Sequence, residues 1–500
     1  MKEINVTYLG RVIPATRDKS VAEIIGGERP CGGHGKCGKC KYIIEGEISP
    51  ISDTERALLS ESELSSGVRL SCLTYPLGDV TVRSIDEDGG AEIVTGGALP
   101  SFEPKPTFSK YGAAIDIGTT TLAAKLYDTS GAALSTAAAI NPQGEFGADV
   151  ISRIEAALGG SDLKLAEAVR GALDDLILEL ARGANISAAD IDGVVITGNT
   201  VMLSLLVCES VEPHSHAPFA AKRLFGEALL ASELGIKCLG AKTEIYLAPC
   251  ISAFVGADTV CAILATELCE RDTAMLCDIG TNGEMALWHG ERLTVCSTAA
   301  GPAFEGVGIS CGMRGGVGAI DRVSPIGGSL AAHVIGDVLP RGICGSGLVD
   351  AVAAMLELEI IDEGGYLEDD EYTILDPVAL TPKDIRMLQL AKSAICAGLL
   401  TLLDGAKLAV SDVPKLYIAG GFGNYLSFAN AARIGLLPKK LARVSKTVGN
   451  AALSGASMLL LDKDMRARAE SIAKSAKTLD LTSSPTFTEK YIEGMMFLEI

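Results

Sequence analysis

Short apolar runs broken by glycine-rich turns recur along this chain, and their spacing predicts its elements. Tyr111-Gly-Ala-Ala-Ile115 and Leu122-Ala-Ala-Lys-Leu126 flank one turn, and Ala274-Met-Leu-Cys277 and Met285-Ala-Leu-Trp288 flank another. Each pair predicts strand, tight turn, strand. At the start, Ile4–Tyr8 and Gly10–Ile13 predict a hairpin, and Ser20-Val-Ala-Glu23 has the capping-box spacing of a short helix over 20–25. Thr381-Pro-Lys-Asp384 combines an N-cap hydroxyl, Pro at the first helical position and an acid at the third, predicting a helix that runs to about Gly405. Ser252–Ala265 predicts another helix, with Gly256 permitting a close helix crossing. Leu416–Asn424 reads as a strand entering a glycine turn, and Gly342–Leu348 as a loop leading into the apolar helix 349–356.

The two turns first named are near-copies: Asp116-Ile-Gly-Thr-Thr-Thr121 and Asp278-Ile-Gly-Thr-Asn-Gly-Glu284. One such loop reads as a plain hairpin turn, whereas two of them, each between apolar strands, suggest a clamp on one polyphosphate. Gly118 and Gly280 let the backbone approach a ligand, and the hydroxyls of Thr119, Thr120, Thr121 and Thr281, with Asn282, Gly283 and Glu284, face phosphate oxygens. Asp116 and Asp278 are placed to hold a hydrated Mg²⁺. Gly345, Ser346 and Gly347 open a helix whose free N–H groups suit an anion or a nucleotide. Gly420, Gly421, Phe422, Gly423 and Asn424 form a turn that can lie flat against adenine or ribose. Glu145 and Asp149, in the loop-to-helix segment Asn141–Ile154, are candidates to orient an attacking water, with helix capping as the structural alternative.

Composition narrows the class. With 500 residues, 48% hydrophobic, and 56 glycines, the chain is globular α/β material with room for two to four domains. A formal charge of −20 argues against a nucleic-acid partner. The N-terminus has no secretion-like apolar stretch, and the longest membrane candidate, Ile395–Val410, is broken by Gly398, Asp404 and Lys407. A soluble, cytoplasmic protein is expected, with no membrane partner.

The 14 cysteines are unevenly used. Cys31, Cys37 and Cys40 stand as Cys-x5-Cys-x2-Cys in a loop rich in glycine, and Leu70-Ser-Cys72 supplies a fourth thiol. Three thiols in one loop and one apart is close to the plant-type [2Fe–2S] pattern, with one residue more in the first gap. Zinc, or purely structural thiols, is the alternative. His34 inside the loop lacks the second histidine a Rieske site needs. The expected organisation is a head over 1–85, a linker over 86–110 that either swings or lies as a fixed strap, and a nucleotide module of two lobes over 111–500.

The doubled Asp-x-Gly-Thr loops with a late Gly-Gly-x-Gly turn resemble the superfamily of actin, heat-shock chaperones and sugar kinases. More narrowly, Cys31–Cys40, Asp116–Thr121, Asn141–Ile154, Gly198–Met202, Ala253–Asp258, Asp278–Glu284, Ala300–Gly306, Gly342–Gly347, Gly420–Asn424 and Val448–Asn450 together resemble the reductive activators of corrinoid-dependent methyltransferases. The resemblance implies an α+β, β-grasp ferredoxin head before a duplicated α/β, actin/Hsp70-like ATPase module. It also implies a [2Fe–2S] cluster, ATP and Mg²⁺ as cofactors, and one-electron reduction of an inactive Co(II) corrinoid to Co(I). The implied partners are the corrinoid protein of a methyltransferase system and a low-potential electron donor, with a homodimer left open. Two departures stand out. Larger members carry a further middle domain, for which this chain is too short. A His is expected after Gly-Asn-Thr-x-Met, where this chain has Ser204. The rival readings are a ferredoxin-fused small-molecule kinase, an activator of 2-hydroxyacyl-CoA dehydratases, and a nucleotide-gated ferredoxin or scaffold.

Overall fold

The computed structural model describes residues 4–8, 11–26, 29, 32–36, 38, 40–59, 63–64, 67–84, 96–97, 99–100 and 102–500. Cys31, Cys37 and the Asp86–Ala91 stretch lie outside the described residues.

The head is one sheet of five strands: β1 (Ile4–Tyr8), β2 (Arg11–Ala15), β3 (Lys41–Ile48), β4 (Val68–Leu70) and β5 (Pro76–Ser84), in the order β2-β1-β5-β3-β4. β1 and β5 run parallel and the other neighbours antiparallel, which is the β-grasp arrangement. The expected hairpin pairs Tyr8 with Arg11, and α1 (Val21–Ile25) starts at a complete Ser20–Glu23 capping box. The cores on the two sides are small, Val6, Val21, Ile44, Val80 and Val82 on one and Ala22, Leu59, Val68 and Leu70 with Cys40 and Cys72 on the other. A buried ion pair reinforces them. Glu55, in α2 (Asp53–Leu58), takes Arg69 Nε at 2.9 Å and the Leu70 N–H at 3.2 Å, fixing the strand that delivers Cys72.

The rest of the chain is a duplication. The first lobe holds β6 (Tyr111–Ile117), β7 (Thr121–Asp128), β8 (Ala133–Ile140), β9 (Ile191–Gly198), β10 (Glu227–Leu230) and β11 (Glu244–Leu247), ordered β10-β11-β9-β6-β7-β8. The second begins with β12 (Thr273–Ile279), β13 (Gly283–His289) and β14 (Arg292–Thr298). A small sheet of β15 (Ala319–Ile326), β16 (Ser329–Val334) and β17 (Gly342–Ile343) follows, then a hairpin of β18 (Tyr372–Leu375) and β19 (Val378–Leu380). β20 (Leu416–Ala419), β21 (Ser445–Gly449) and β22 (Lys477–Thr478) complete the second sheet, ordered β21-β20-β12-β13-β14-β22. In both sheets a parallel pair, β9 with β6 and β20 with β12, continues into an antiparallel meander. Strands flanked on both faces by protein read as continuous apolar runs, which accounts for 112–115 and 274–277. Asp116 and Asp278 end equivalent strands, beside Thr197 and Ala419.

Helices pack these sheets: α3 (Val150–Ala156), α4 (Asp162–Gly183), α5 (Thr200–Leu206), α6 (Ala257–Ala265), α7 (Gly345–Glu357), α8 (Pro382–Ala406) and α9 (Ala451–Leu461). The helix expected over 252–265 begins only at Ala257, with Gly256 as its N-cap. Gly256 does not serve a helix crossing. A Cβ there would lie 2.4 Å from Asn199 Cα, so it lets α6 abut the β9–α5 turn. The close crossing falls at Gly455 of α9, where a Cβ would sit 2.0 Å from the Cys261 carbonyl oxygen of α6. α9 is apolar all round and buried at every position, as such a helix must be. α8 starts at the expected Thr381–Asp384 capping box. It is long and apolar enough to cross a membrane, but 78% of its apolar window is buried, and it packs on β13 and β14 as a core helix.

The described linker residues form a strap. The Lys105 and Thr107 N–H groups donate to the carbonyls of Leu461 (2.8 Å) and Leu460 (3.0 Å), and Gly97 pairs with Gly449.

Candidate functional site

Each strand-turn-strand loop closes on itself. The Gly118 N–H donates to Thr121 O at 2.9 Å, and the Gly280 N–H to Asn282 O at 3.0 Å. A Cβ on Gly118 would lie 2.8 Å from Thr121 O, so the turn requires glycine. The two loops face one cavity of about 670 Å³ between the lobes. Asp116, Gly118, Thr119, Thr120 and Thr121 line it from one side, and Asp278, Gly280, Thr281, Asn282 and Glu284 from the other. Its far end is closed by Gly345, Ser346, Gly420, Gly421 and Phe422.

One carboxylate ties the loops together. Glu305, ending a short turn over Pro302–Glu305, accepts from Thr120 Oγ1 at 2.8 Å and from Thr281 Oγ1 at 2.9 Å. Five more acids line the cavity: Asp116, Asp278, Glu284, Asp258 at the start of α6, and Asp321 of β15, which pairs with His333. Burial pushes Asp116 and Asp278 up to about 7 and Asp258 up to about 6, and Glu284 rises well above the usual carboxylate range. Mutual repulsion adds to burial for Asp116, Asp278 and Glu284. Asn450 relieves Asp116 by donating from Nδ2 to Oδ2 at 2.9 Å. Among the described residues no three acidic, His or Cys side chains close round a single metal site. The donor set is carboxylate, hydroxyl and amide around an open cavity, which suits a cation that keeps its waters.

Behind the first loop, Asn199 Nδ2 reaches Thr119 Oγ1 at 3.2 Å, and Asn141 Nδ2 holds the Gly118 carbonyl at 2.8 Å. The buried Arg153 holds the Thr119 carbonyl at 2.5 Å. Burial draws its guanidinium down to about 10, which leaves it a cation at neutral pH. At the far end, Phe304 and Phe422 stack with centroids 4.6 Å apart. A Cβ on Gly345 would lie 2.1 Å from Phe304 O. Gly420, with φ +91°, passes so near the second loop that a Cβ would meet Asp278 Oδ1 at 2.7 Å.

Several expected site residues sit elsewhere. A Cβ on Gly283, Gly347 or Gly423 would meet Ile395, Ile320 or Ile418, so these glycines serve packing rather than the cavity wall. The Asn424 side chain lies outside the described residues. Glu145 and Asp149, expected near an attacking water, do not line the cavity. Glu145 pairs with Arg29 of the head at 3.3 Å, and Asp149 caps α3 through Ser152. The acids that line the cavity and were not singled out are Asp258, Glu305 and Asp321. Asp258 and Glu305 lay inside recognisable runs, Ala253–Asp258 and Ala300–Gly306, and Asp321 in none, but only the fold brings the three to one cavity. Ser204, at the position where a His was expected, is buried in α5 and donates to Thr200 O at 2.9 Å.

In the head, Cys40 and Cys72 are buried with their sulfurs 3.1 Å apart, hydrogen-bonded and without a disulfide. The hydrogen bond between them draws the Cys40 thiol down to about 6, toward the thiolate a metal needs. Gly32, Gly33, Gly35 and Gly38 all take positive φ, winding the loop tightly, and His34 is exposed. The two described thiols and this loop fit an iron–sulfur cluster.

Comparison with known proteins agrees. Residues 19–77 match the 2Fe-2S iron-sulfur cluster binding domain, 111–271 the RACo middle region and 272–499 the C-terminal ASKHA domain of RACo. The middle-region match falls on the first lobe itself. The chain is 34% identical over 438 residues to the corrinoid activation enzyme RamQ of Eubacterium limosum, covering 81% of this chain and 74% of that one. It is 27% identical over 418 residues to a [Co(II) methylated amine-specific corrinoid protein] reductase of Methanosarcina barkeri, covering 76% of each. A solved reductive activator for a corrinoid, iron–sulfur protein superposes with a TM-score of 0.72 at 27% identity, covering 99% of both chains. With a ferredoxin-type head, a duplicated ASKHA module and these relatives, the chain belongs to the RACo family of reductive activators.

Proposed function

We propose that this protein is an ATP-dependent reductive activator that returns one electron to the Co(II) corrinoid of a methyltransferase system, restoring Co(I). The observation that carries this reading is Glu305 bridging Thr120 and Thr281, because it makes two phosphate loops into one clamp in the same chain as the thiol-bearing head. When bound, a [2Fe–2S] cluster supplies a single low-potential electron, at about −400 mV for plant-type centres. Cys40 and Cys72 would hold it together with Cys31 and Cys37.

The loops bind ATP phosphates through the Gly118 and Gly280 turns and the hydroxyls of Thr119, Thr120 and Thr281. Asp116, Asp258, Asp278 and Glu284 would hold a hydrated Mg²⁺, whose charge stabilises carboxylates that burial otherwise disfavours. Glu305 orients the attacking water once phosphate oxygens have taken over its threonine partners. Gly345, Ser346 and the Gly420–Phe422 turn accept the nucleoside. Nucleotide drawn between the lobes favours a closed arrangement only by the difference in its affinity for the closed and open forms.

The test is anaerobic. Reduced holoprotein is mixed with a Co(II) corrinoid protein, and Co(I) absorbance is followed with and without ATP. ATP is expected to accelerate Co(I) formation at least tenfold while phosphate is released. Equal rates with and without ATP would overturn the reading.

A further inference from the structure

The linker reaches the nucleotide site at one point. The Asn450 N–H donates to Gly96 O at 2.9 Å, and Gly97 pairs antiparallel with Gly449. Three close approaches make this junction tight. A Cβ on Gly449, whose φ is +64°, would lie 2.2 Å from Gly96 O. A Cβ on Gly97 would lie 2.3 Å from Ser454 Oγ and 2.7 Å from Asn450 O, and Ser454 Oγ is buried with no partner among the described residues. A Cβ on Gly96 would meet nothing within 4 Å.

What the junction holds is catalytically placed. Asn450 Nδ2 donates to Asp116 at the end of the first phosphate strand. The Gly449 carbonyl accepts from the Gly420 N–H at 3.2 Å, and Gly420 lies against Asp278. The same two residues that grip the linker therefore touch both lobes' leading aspartates, one directly and one through Gly420. Farther along, the strap is anchored again at Leu460 and Leu461, the C-terminal end of α9, whose N-cap is Asn450. Strap, Asn450 and α9 form one mechanical unit, and residue 96 lies shortly after the last strand of the head.

We propose that Gly97, through its contact with Gly449 and Asn450, is a positioning residue for the nucleotide site: the linker sets Asn450 against Asp116 and thereby couples the head to the phosphate clamp. The inference rests on the ATP-dependent reading above. The strap is packed and hydrogen-bonded at 96–97 and 105–107, so a shift of Asn450 on nucleotide binding is passed to the linker, and a displaced linker loosens Asn450.

The experiment uses full-length holoprotein with its [2Fe–2S] absorbance checked, comparing wild type, Gly97→Ala and the matched control Gly96→Ala. Gly97→Ala is expected to raise the KM for ATP about fivefold or more with kcat changed less than about twofold. Gly96→Ala should match wild type in both. Hydrogen exchange supplies a measurement free of mutation: Mg²⁺–ATP should slow exchange of the Asn450 and Lys105 amides in wild type. Gly97→Ala kinetics equal to wild type, or amides indifferent to Mg²⁺–ATP, overturn the inference alone. Wild type that neither binds nor hydrolyses ATP overturns the functional reading with it.

Discussion

Thr120 Oγ1 donates to Glu305 Oε2 across 2.8 Å, joining residues 185 positions apart in the chain. The other oxygen of the same carboxylate takes Thr281 from the second loop. A single acid therefore bridges both Asp-x-Gly-Thr loops at the cavity wall. Glu305→Gln keeps the shape but removes the charge proposed to orient water. It is expected to lower ATP turnover by about 10²-fold or more, with nucleotide affinity changed less than threefold. Phosphate release and equilibrium binding, measured separately, check this; turnover within threefold of wild type removes Glu305 from the role.

The raised carboxylates make a pH prediction with a definite sign. Asp116 and Asp278, at about 7 in the folded protein against about 3.9 for a free Asp, hold protons more tightly when folded. Their contribution to stability is full below about pH 4 and is lost as pH rises through 7. Asp278→Asn should flatten this fall in Tm between pH 5 and 8, and millimolar Mg²⁺ should restore wild-type Tm at pH 8. A variant with the wild-type slope would show that Asp278 does not titrate there.

Glu55 carries the opposite sign. Burial opposes its ionisation, but Arg69 and the Ser52 cap outweigh this and hold it below the usual carboxylate range. Its contribution is present above the unfolded value near 4.3 and is lost as pH falls. Glu55→Ala leaves Arg69 buried without its partner, at a cost of about 3–5 kcal/mol. The variant should lose its [2Fe–2S] spectrum, because β4 no longer delivers Cys72, while ATP binding persists. Retention of both spectrum and acid stability would refute this.

The head meets the first lobe at Arg29 and Glu145, 3.3 Å apart with each side chain one-fifth exposed. Arg29 lies two residues before Cys31, and Glu145 follows Asn141, which holds the first phosphate loop. Screening limits such a pair to about 0–1 kcal/mol. Arg29→Glu should nevertheless slow ATP-dependent Co(I) formation severalfold with ATP hydrolysis unaltered, and adding Glu145→Arg should recover it. Failure of the double exchange to recover the rate would assign the effect to something other than the pair.

Much of the fold was legible because local physics wrote it. The capping boxes at Ser20 and Thr381, the hairpin at Tyr8 and Arg11, and the paired Asp-x-Gly-Thr turns all satisfy backbone groups with residues a few positions away. Glu145 and Asp149 show the limit. Their spacing in a loop entering a helix suits water activation and capping equally, and only packing against Arg29 and Ser152 distinguishes the two. Glu305 shows the converse, since nothing within Ala300–Gly306 states that its partners lie in two distant loops. The close crossing expected at Gly256 falls at Gly455 for the same reason: a glycine advertises close approach but not what approaches.

By itself, then, the amino-acid sequence determined the strands, the turns and the chemistry each turn can offer, because periodicity, capping and thiol spacing act over a few residues. The tertiary structure alone decided that six carboxylates line one cavity, that Asn450 serves Asp116, and that the linker is strapped to both. Those relations depend on burial and on contacts between segments hundreds of residues apart, where desolvation and like-charge repulsion arise only once the chain has closed on itself.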